Sequence, residues 1–270
     1  VDTKALIDSL DLIQNTHPLV QHITNMVTVN DCANITLAFG GAPVMADWGD
    51  DALEMVEHAG SLVLNMGVLT AESIETMIAV GRKAKTLGVP VIFDPVGAGA
   101  TESRRRASRR ILSEIRPDIV KGNAAEVLFL AGEDVLQKGV DSDVSRGAAD
   151  AARRLAAENG AVVVATGISD HVSDGKKTFR LEGGSSMMGR ITGTGCMSAS
   201  VLGCFAAVLD SMLDAAILGT LAMNIAGERA AESLSSAEGS GTFRTRLIDA
   251  ASLLLARPLE TDHDRRIFHE

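Results

Sequence analysis

The densest chemistry in the sequence lies between Met187 and Leu209. There Gly193-Thr194-Gly195-Cys196 stands between a short apolar segment (Met187, Met188, Ile191), read as a strand, and a helix of small residues. Glycines at such a turn let backbone N–H groups converge. The first N–H groups of a helix have no partner inside it, and the dipole is positive at that end. An anion, above all a phosphate, is the expected guest. Cys196 falls in the first helical turn, where the same field is expected to lower its thiol pKa and let it orient or accept a proton. These residues would equally serve a tight strand-to-helix turn with a buried cysteine, so the elements around them must decide.

A chain of 270 residues with 46% hydrophobic content has ample material for a large core. No Pro- or Ser-rich linker, low-complexity run or repeat beyond β/α alternation divides it, so one domain over residues 1–270 is expected. A formal net charge of −10 opposes a nucleic-acid or anionic-membrane surface, so any phosphate must be held locally. With 3% aromatic residues and no Tyr, stacking platforms for single strands are excluded as well. Three cysteines cannot all pair, and Cys196 and Cys204 on one helix stand about 12 Å apart, too far for a disulfide. A reducing cytoplasm fits. Val1 to Thr16 has interspersed acids and no apolar core of signal-peptide length, and no apolar run is long enough to span a bilayer; neither secretion nor membrane insertion is expected.

In chain order, apolar residues at helical spacing (Leu6, Leu10, Ile13) predict a helix from Thr3 to Asn15 that His17-Pro18 ends. A strand over Leu19 to Thr24, a helix from about Val29 to Phe39 stopped by Gly40-Gly41, and an extended Pro43 to Ala46 follow. The unit repeats as a helix over Asp50 to Ala59, a strand over Ser61 to Met66, a helix over Ala71 to Leu87 and a strand over Val89 to Asp94. Such alternation predicts an α/β fold with a parallel sheet and helices outside. Next come a helix over Glu102 to Glu114, a short strand over Pro117 to Val120, a helix around Asp143 to Glu158 and a β-branched run over Ala161 to Ala165. His171 to Leu181 is read as a hairpin turning at Asp174-Gly175 that covers an adenine site. Helices over about Met197 to Leu209, Leu213 to Leu234 and Arg244 to Leu255 close the chain.

In an open parallel sheet, ligands bind beyond the carboxyl ends of the strands. The residues there are Thr24 and Asn25, Met45 and Asp47, Asn65 and Gly67, then Asp94-Pro95-Val96-Gly97-Ala98-Gly99-Ala100-Thr101. Asn25 suits a helix cap as well as a ligand contact, Met45 suits core packing, and Gly67 suits a turn. Asp94 is the stronger candidate, because a carboxylate after four apolar residues must be solvated, paired or metal-linked. The next strand delivers Lys121-Gly122-Asn123-Ala124-Ala125-Glu126 to the same edge. Lys121 could meet a nucleotide phosphate and Asn123 caps the following helix; Glu126 either completes a capping box or joins Asp94 in holding Mg²⁺ through water. Thr166 sits at the same edge. The arginines of the Glu102–Glu114 helix are read as a solvated face without a role, and Met223-Asn224 as packing.

No G-x-x-x-x-G-K-S/T run is present, and Gly193-x-Gly195-x-x-Ser198 matches a dinucleotide fingerprint only loosely. The ordered combination of Asp94-Pro95, Asn123-Ala124-Ala125-Glu126 and a late Gly193-Thr194-Gly195-Cys196 resembles instead the ribokinase-like superfamily of small-molecule kinases. Together with His17-Pro18-Leu19-Val20, Ile23-Thr24-Asn25, Gly41-Ala42-Pro43-Val44-Met45-Ala46 and Asn65-Met66-Gly67, it is similar over nearly the whole chain to the hydroxyethylthiazole kinase family of thiamine salvage. That resemblance implies a three-layer α/β/α fold and transfer of the ATP γ-phosphoryl group to the alcohol of 4-methyl-5-(2-hydroxyethyl)thiazole. It also implies a homotrimer with active sites at subunit interfaces. By the same resemblance, Met45 and Gly193 bound the thiazole pocket with Asn25 and Gly67 nearby, while Lys121, Thr166 and Asn123 hold ATP. Asp94 and Glu126 take Mg²⁺, and the N–H groups of Gly193, Thr194 and Gly195 take the transferred phosphoryl group. The chain departs from the family pattern at Lys121, where Arg is frequent, and related kinases of the superfamily usually have Asp where it has Cys196. A pyrimidine or sugar kinase would share Asp94 and Glu126 but differ around Asn25 and Met45. A dehydratase of the same fold would keep Asp at position 196, and a silent sensor would bind without turnover.

Overall fold

The strands up to Thr166 carry apolar residues on both faces, which demands a helical layer on each side. The computed structural model describes residues 2–133, 143–256, 259 and 266–270. The elements are α1 (Thr3–Thr16), β1 (Leu19–Ile23), α2 (Val29–Ala38), β2 (Ala42–Met45), α3 (Gly49–Met55), β3 (Ser61–Asn65), α4 (Ala71–Leu87), β4 (Val91–Asp94), α5 (Glu102–Ile115) and β5 (Ile119–Asn123). There follow α6 (Ala124–Leu130), α7 (Asp143–Asn159), β6 (Val162–Thr166), β7 (Asp170–Ser173), β8 (Thr178–Leu181), α8 (Thr194–Ala206), α9 (Met212–Glu232), α10 (Ser240–Ser252) and β9 (Ile267–His269). The strands form one sheet in the order β2-β1-β3-β4-β5-β6-β7-β8-β9. Its first six strands run parallel and its last three antiparallel. The expected three-layer α/β/α arrangement with a mostly parallel sheet is the one observed.

Alternation along the strands separates two cores. Val20, Val63, Ile92, Ile119 and Val164 pack with α1, α2, α8, α9 and α10. Ile23, Leu62, Leu64, Phe93, Val120 and Val163 pack with α3 to α7. Local chemistry ends the helices where the chain must turn: Asp2 caps α1 through Ala5 N–H and His17 leaves it at φ 46° before Pro18, while Thr70 and Gly88 (φ 74°) bracket α4. From β1 the chain first moves outward to β2 and then returns to β3 on the other side of β1. This reversal opens a crevice between the carboxyl ends of β1 and β3, where Asn25 and Asn65 lie.

Four expectations are corrected. Met187 to Ile191 is not a strand: Ser186–Arg190 is a short 3₁₀ helix, entered through Gly183 and Gly184 at φ 145° and 83° and capped by the Ser185 hydroxyl. Among the described residues no strand pairs with it, and Met188 packs against Gly227 of α9 instead. Strand β5 does not stop at Val120, because pairing of Lys121, Gly122 and Asn123 with Val164, Ala165 and Thr166 carries it on. The last long helix begins at Ser240 rather than Arg244. The β7–β8 hairpin turns where expected, but its tip lies against Ala157 of α7 rather than over a ligand edge. Strand β9, which pairs with β8, has no counterpart in the sequence reading. Among the described residues no helix is long and apolar enough to cross a membrane.

Candidate active site

The parallel register sets Asn65 beside Asp94 and Asn123 beside Thr166 at the ends of adjacent strands. α8 enters the same edge head-on. Gly193 precedes it at φ 89°, and a Cβ there would stand 2.6 Å from Thr28 Cγ2, so both the conformation and the space require glycine. Its first turn brings Cys196 Sγ to 3.2 Å from Asn65 Nδ2 and 3.7 Å from Asn25 Nδ2. Asn65 Nδ2 also donates to Asp94 Oδ2 at 2.6 Å, and Asn65 Oδ1 accepts from Asn25 Nδ2 at 2.8 Å and Gly67 N at 2.9 Å. Gly67 is compressed against this pair, a Cβ there lying 2.7 Å from Asn25 Nδ2. Asn25 is not the cap of α2, whose N-cap is Thr28 without a side-chain bond; its Oδ1 instead accepts from Val27 N and Thr28 N in the turn ahead of that helix. Met45 ends β2 beside His22 of β1 and is half-buried.

Electrostatics divide this cluster into neutral and charged members. Burial pushes the Cys196 thiol above its ordinary range, and the charge of Asp94 pushes it further. This corrects the expected lowering: desolvation outweighs the field of the helix end, and Cys196 is a thiol at neutral pH. Burial likewise raises Asp94 to about 6, with Lys121 opposing the shift and Glu126 adding to it. Lys121 is itself 4% exposed and donates to Gly195 O at 3.2 Å beneath the first turn of α8. Below the cluster His22, pushed down to about 4 by burial, bonds Val20 O through Nδ1 and Ser200 Oγ through Nε2.

Asn123 and Glu126 form a full capping box on α6, at 2.9 and 2.7 Å. Glu126 also reaches across to accept from Gly97 N at 2.8 Å, which ties the loop after β4 to α6. Among the described residues no three His, Cys, Asp or Glu side chains form a metal cage. Asp94 and Glu126 are hard oxygen donors of the kind Mg²⁺ takes when it keeps most of its waters, and the charge of Glu126 acts on Asp94.

On the α8–α9 side of the sheet, a cavity of about 520 Å³ is lined by Lys121, Thr166, Asp170, Gly184, Thr194 and Asn224. Thr166 Oγ1 is engaged with Gly122 O at 3.2 Å. Asp170 is buried, accepts from Gly167 N and Asn224 Nδ2, and is raised in pKa by that burial. The structure thus brings Asn25, Gly67, Asp94 and Cys196 into one hydrogen-bonded group with Asn65, and sets Gly193, Thr194, Gly195 and Lys121 around the start of α8. Asn123 and Glu126 stand on the flank, and Met45 lies apart on β2.

Sequence reasoning left four participants without a role in the site. Asn65 ends an apolar strand as Asp94 does, and the same argument would have selected it. Asp170 and Asn224 gave no spacing signal. Arg104 belongs to the arginine face left without a role, yet its guanidinium donates to the carbonyls of Met66, Gly67 and Val96 at 2.7, 2.7 and 2.9 Å.

The chain is similar to known proteins over nearly its whole length. A family model described as the hydroxyethylthiazole kinase family matches residues 10–257. The hydroxyethylthiazole kinase of Alkaliphilus oremlandii is 47% identical over 245 residues, covering 90% of each chain. The solved hydroxyethylthiazole kinase of Pyrococcus horikoshii OT3 superposes with a TM-score of 0.88 at 34% identity, covering 99% of this chain and 100% of that one. A ribokinase-like superfamily protein from Enterococcus faecalis V583 shares the fold at a TM-score of 0.63 and 14% identity, over 91% and 95% of the two chains.

Proposed function

The chain belongs to the hydroxyethylthiazole kinase family, and we propose on that premise how its site divides the reaction. The protein is a phosphotransferase of thiamine biosynthesis that moves the γ-phosphoryl group of ATP to the hydroxyl of 4-methyl-5-(2-hydroxyethyl)thiazole. Such a transfer needs mainly positioning and neutralisation of charge. The observation that carries the reading is the approach of the first turn of α8 to the Asn65–Asp94 pair, with Asn65 Nδ2 shared between Asp94 and Cys196.

In this reading the N–H groups of Gly193, Thr194 and Gly195 receive the transferred phosphoryl oxygens, a role suited to unpaired donors at a helix start. Lys121, Thr166 and Asn123 hold the nucleotide, with the 520 Å³ cavity supporting a nucleoside seat beside Thr166. Lys121 supplies a point charge where an arginine would fork. Asn25, Met45, Gly67 and Gly193 bound the thiazole. Cys196, a neutral thiol, orients the attacking hydroxyl rather than removing its proton as a thiolate. Asp94 and Glu126 would hold Mg²⁺ through its waters, and the ion when bound neutralises charge on the phosphates.

Met26, Val27 and Trp48, 79, 63 and 67% exposed, stand beside Asn25 and Met45 in the chain and support a homotrimer whose interfaces complete the thiazole pocket. The unbroken sheet supports a single kinase domain over residues 1–270, and the reduced cysteines support a cytoplasmic location. The test is ADP release with Mg-ATP against hydroxyethylthiazole, hydroxymethylpyrimidine and ribose, with an alcohol-free blank. Turnover confined to the thiazole is expected. Thiazole binding without ADP release from any acceptor would replace the kinase by a sensor.

A further inference from the structure

We infer that Arg104 is a positioning residue that locks the loop after β3 and the loop after β4 into one register, and through them sets the acceptor and metal ends of the site. The inference rests on the kinase reading above. One guanidinium reaches three carbonyls on two loops: Nη1 donates to Met66 O and Val96 O, and Nη2 to Gly67 O. The N–H groups of Met66 and Val96 both turn back to Asp94 O, at 3.2 and 2.9 Å, so Arg104 closes a ring around the backbone of Asp94. From Gly67 the chain of contacts continues by its N–H to Asn65, whose amide meets Asp94 and Cys196. From Val96 it continues to Gly97, whose N–H meets Glu126.

Gly97 adopts φ 66°, and a Cβ there would lie 3.6 Å from Arg104 Cδ, so the arginine stem packs along the loop it ties. Only a planar fork fits this arrangement. An ammonium is a compact charge on a flexible stem and does not span carbonyls of two loops in one plane. Arg104 makes none of its hydrogen bonds to a nucleotide-cavity residue. Its loss should therefore act on one end of the site.

The experiment compares Arg104→Lys and Arg104→Ala with wild type, with the exposed Arg106→Ala as control, each shown folded by circular dichroism. Expected are a fall in kcat/KM for the thiazole alcohol of roughly ten- to a hundredfold, a higher Mg²⁺ requirement and little change in KM for ATP. Added guanidinium should partly restore Arg104→Ala but not Arg104→Lys. A folded Arg104→Ala enzyme with wild-type kcat/KM and Mg²⁺ dependence overturns the inference, as does an equal loss for ATP and alcohol that guanidinium leaves untouched. Should wild type itself fail to turn over the thiazole, the kinase reading falls separately. Amide hydrogen exchange then decides: faster exchange at Met66 and Val96 in Arg104→Lys retains the lock, and unchanged exchange removes it. The same exchange reading on Arg104→Lys serves if Arg104→Ala does not fold.

Discussion

Around Cys196 the side chains hold one another, whereas around Thr166 they line a space. At the acceptor end, Asn25, Asn65, Asp94 and Cys196 are linked by hydrogen bonds, glycines at 67 and 193 leave no room for a methyl group, and Arg104 pins the loops behind. At the end proposed for the nucleoside, about 520 Å³ lies between the Thr166–Asp170 turn and the Gly183–Gly184 segment. The difference follows the chemistry. Atoms that react must be fixed before substrate arrives, while a nucleoside can be accommodated by a roomier pocket.

The sharpest way to break this contrast is to damage each end alone. Asp94→Asn is expected to lower kcat by roughly a hundred- to a thousandfold while leaving ATP affinity, read by calorimetry without turnover, within a few-fold. A parallel collapse of binding would show that the two ends are one unit. Lys121→Met is the converse. Removing this buried cation, proposed to meet the phosphates, should weaken ATP about tenfold or more, read as KM for ATP, with KM for the thiazole little changed.

Stability against pH separates the supports beneath the acceptor end. His22 has a folded pKa of about 4, below its unfolded value of about 6.5, so its contribution is complete above pH 6.5 and is lost as pH falls toward 4. Asp94, at about 6, lies above its unfolded value of about 3.8, so its effect is the reverse and stability is lost as pH rises from 3.8 through 6. Each is worth about 3 kcal/mol, and the two nearly cancel between pH 4 and 6. His22→Gln should therefore leave a protein that gains stability on acidification across this window, and Asp94→Asn one that loses it. Urea unfolding at pH 4, 5 and 6 reads both slopes, and equal slopes in the two variants would contradict the assignment. The smallest effect is expected from Cys196→Asp, which should keep or raise turnover a few-fold, because a carboxylate can orient the same hydroxyl and also accept its proton. A folded but inactive variant would show that the neutral thiol is required.

Much of this was legible because strand ends announce themselves. Asp94 and Lys121 each close an apolar run, Asn25 follows the first strand, and the alternation of strands and helices fixes that they share one edge. The Asn123–Glu126 spacing likewise announced a cap, and the cap is there. What escaped depends on contacts distant in the chain. Arg104 has four arginine neighbours of identical type on its helix, and only the approach of the Met66 and Val96 carbonyls distinguishes it. The Cys196 thiol was misjudged for a related reason: a helix start is visible in sequence, but the burial that overrides it is not. Met187 to Ile191 has strand-like composition and no strand neighbour among the described residues, so tertiary packing decided its form.

The β2-β1-β3 reversal also governs how the chain acquires activity. Asn25 meets Asn65 across 40 positions, and Asn65 and Asn25 meet Cys196 across 131 and 171. Contacts of such separation close late in folding, because each requires a long loop to be ordered first. Intermediates with helices and several paired strands would still lack the junction of α8 with the sheet. Catalytic competence on refolding is thus a report on the last step, and should lag behind the return of helical signal.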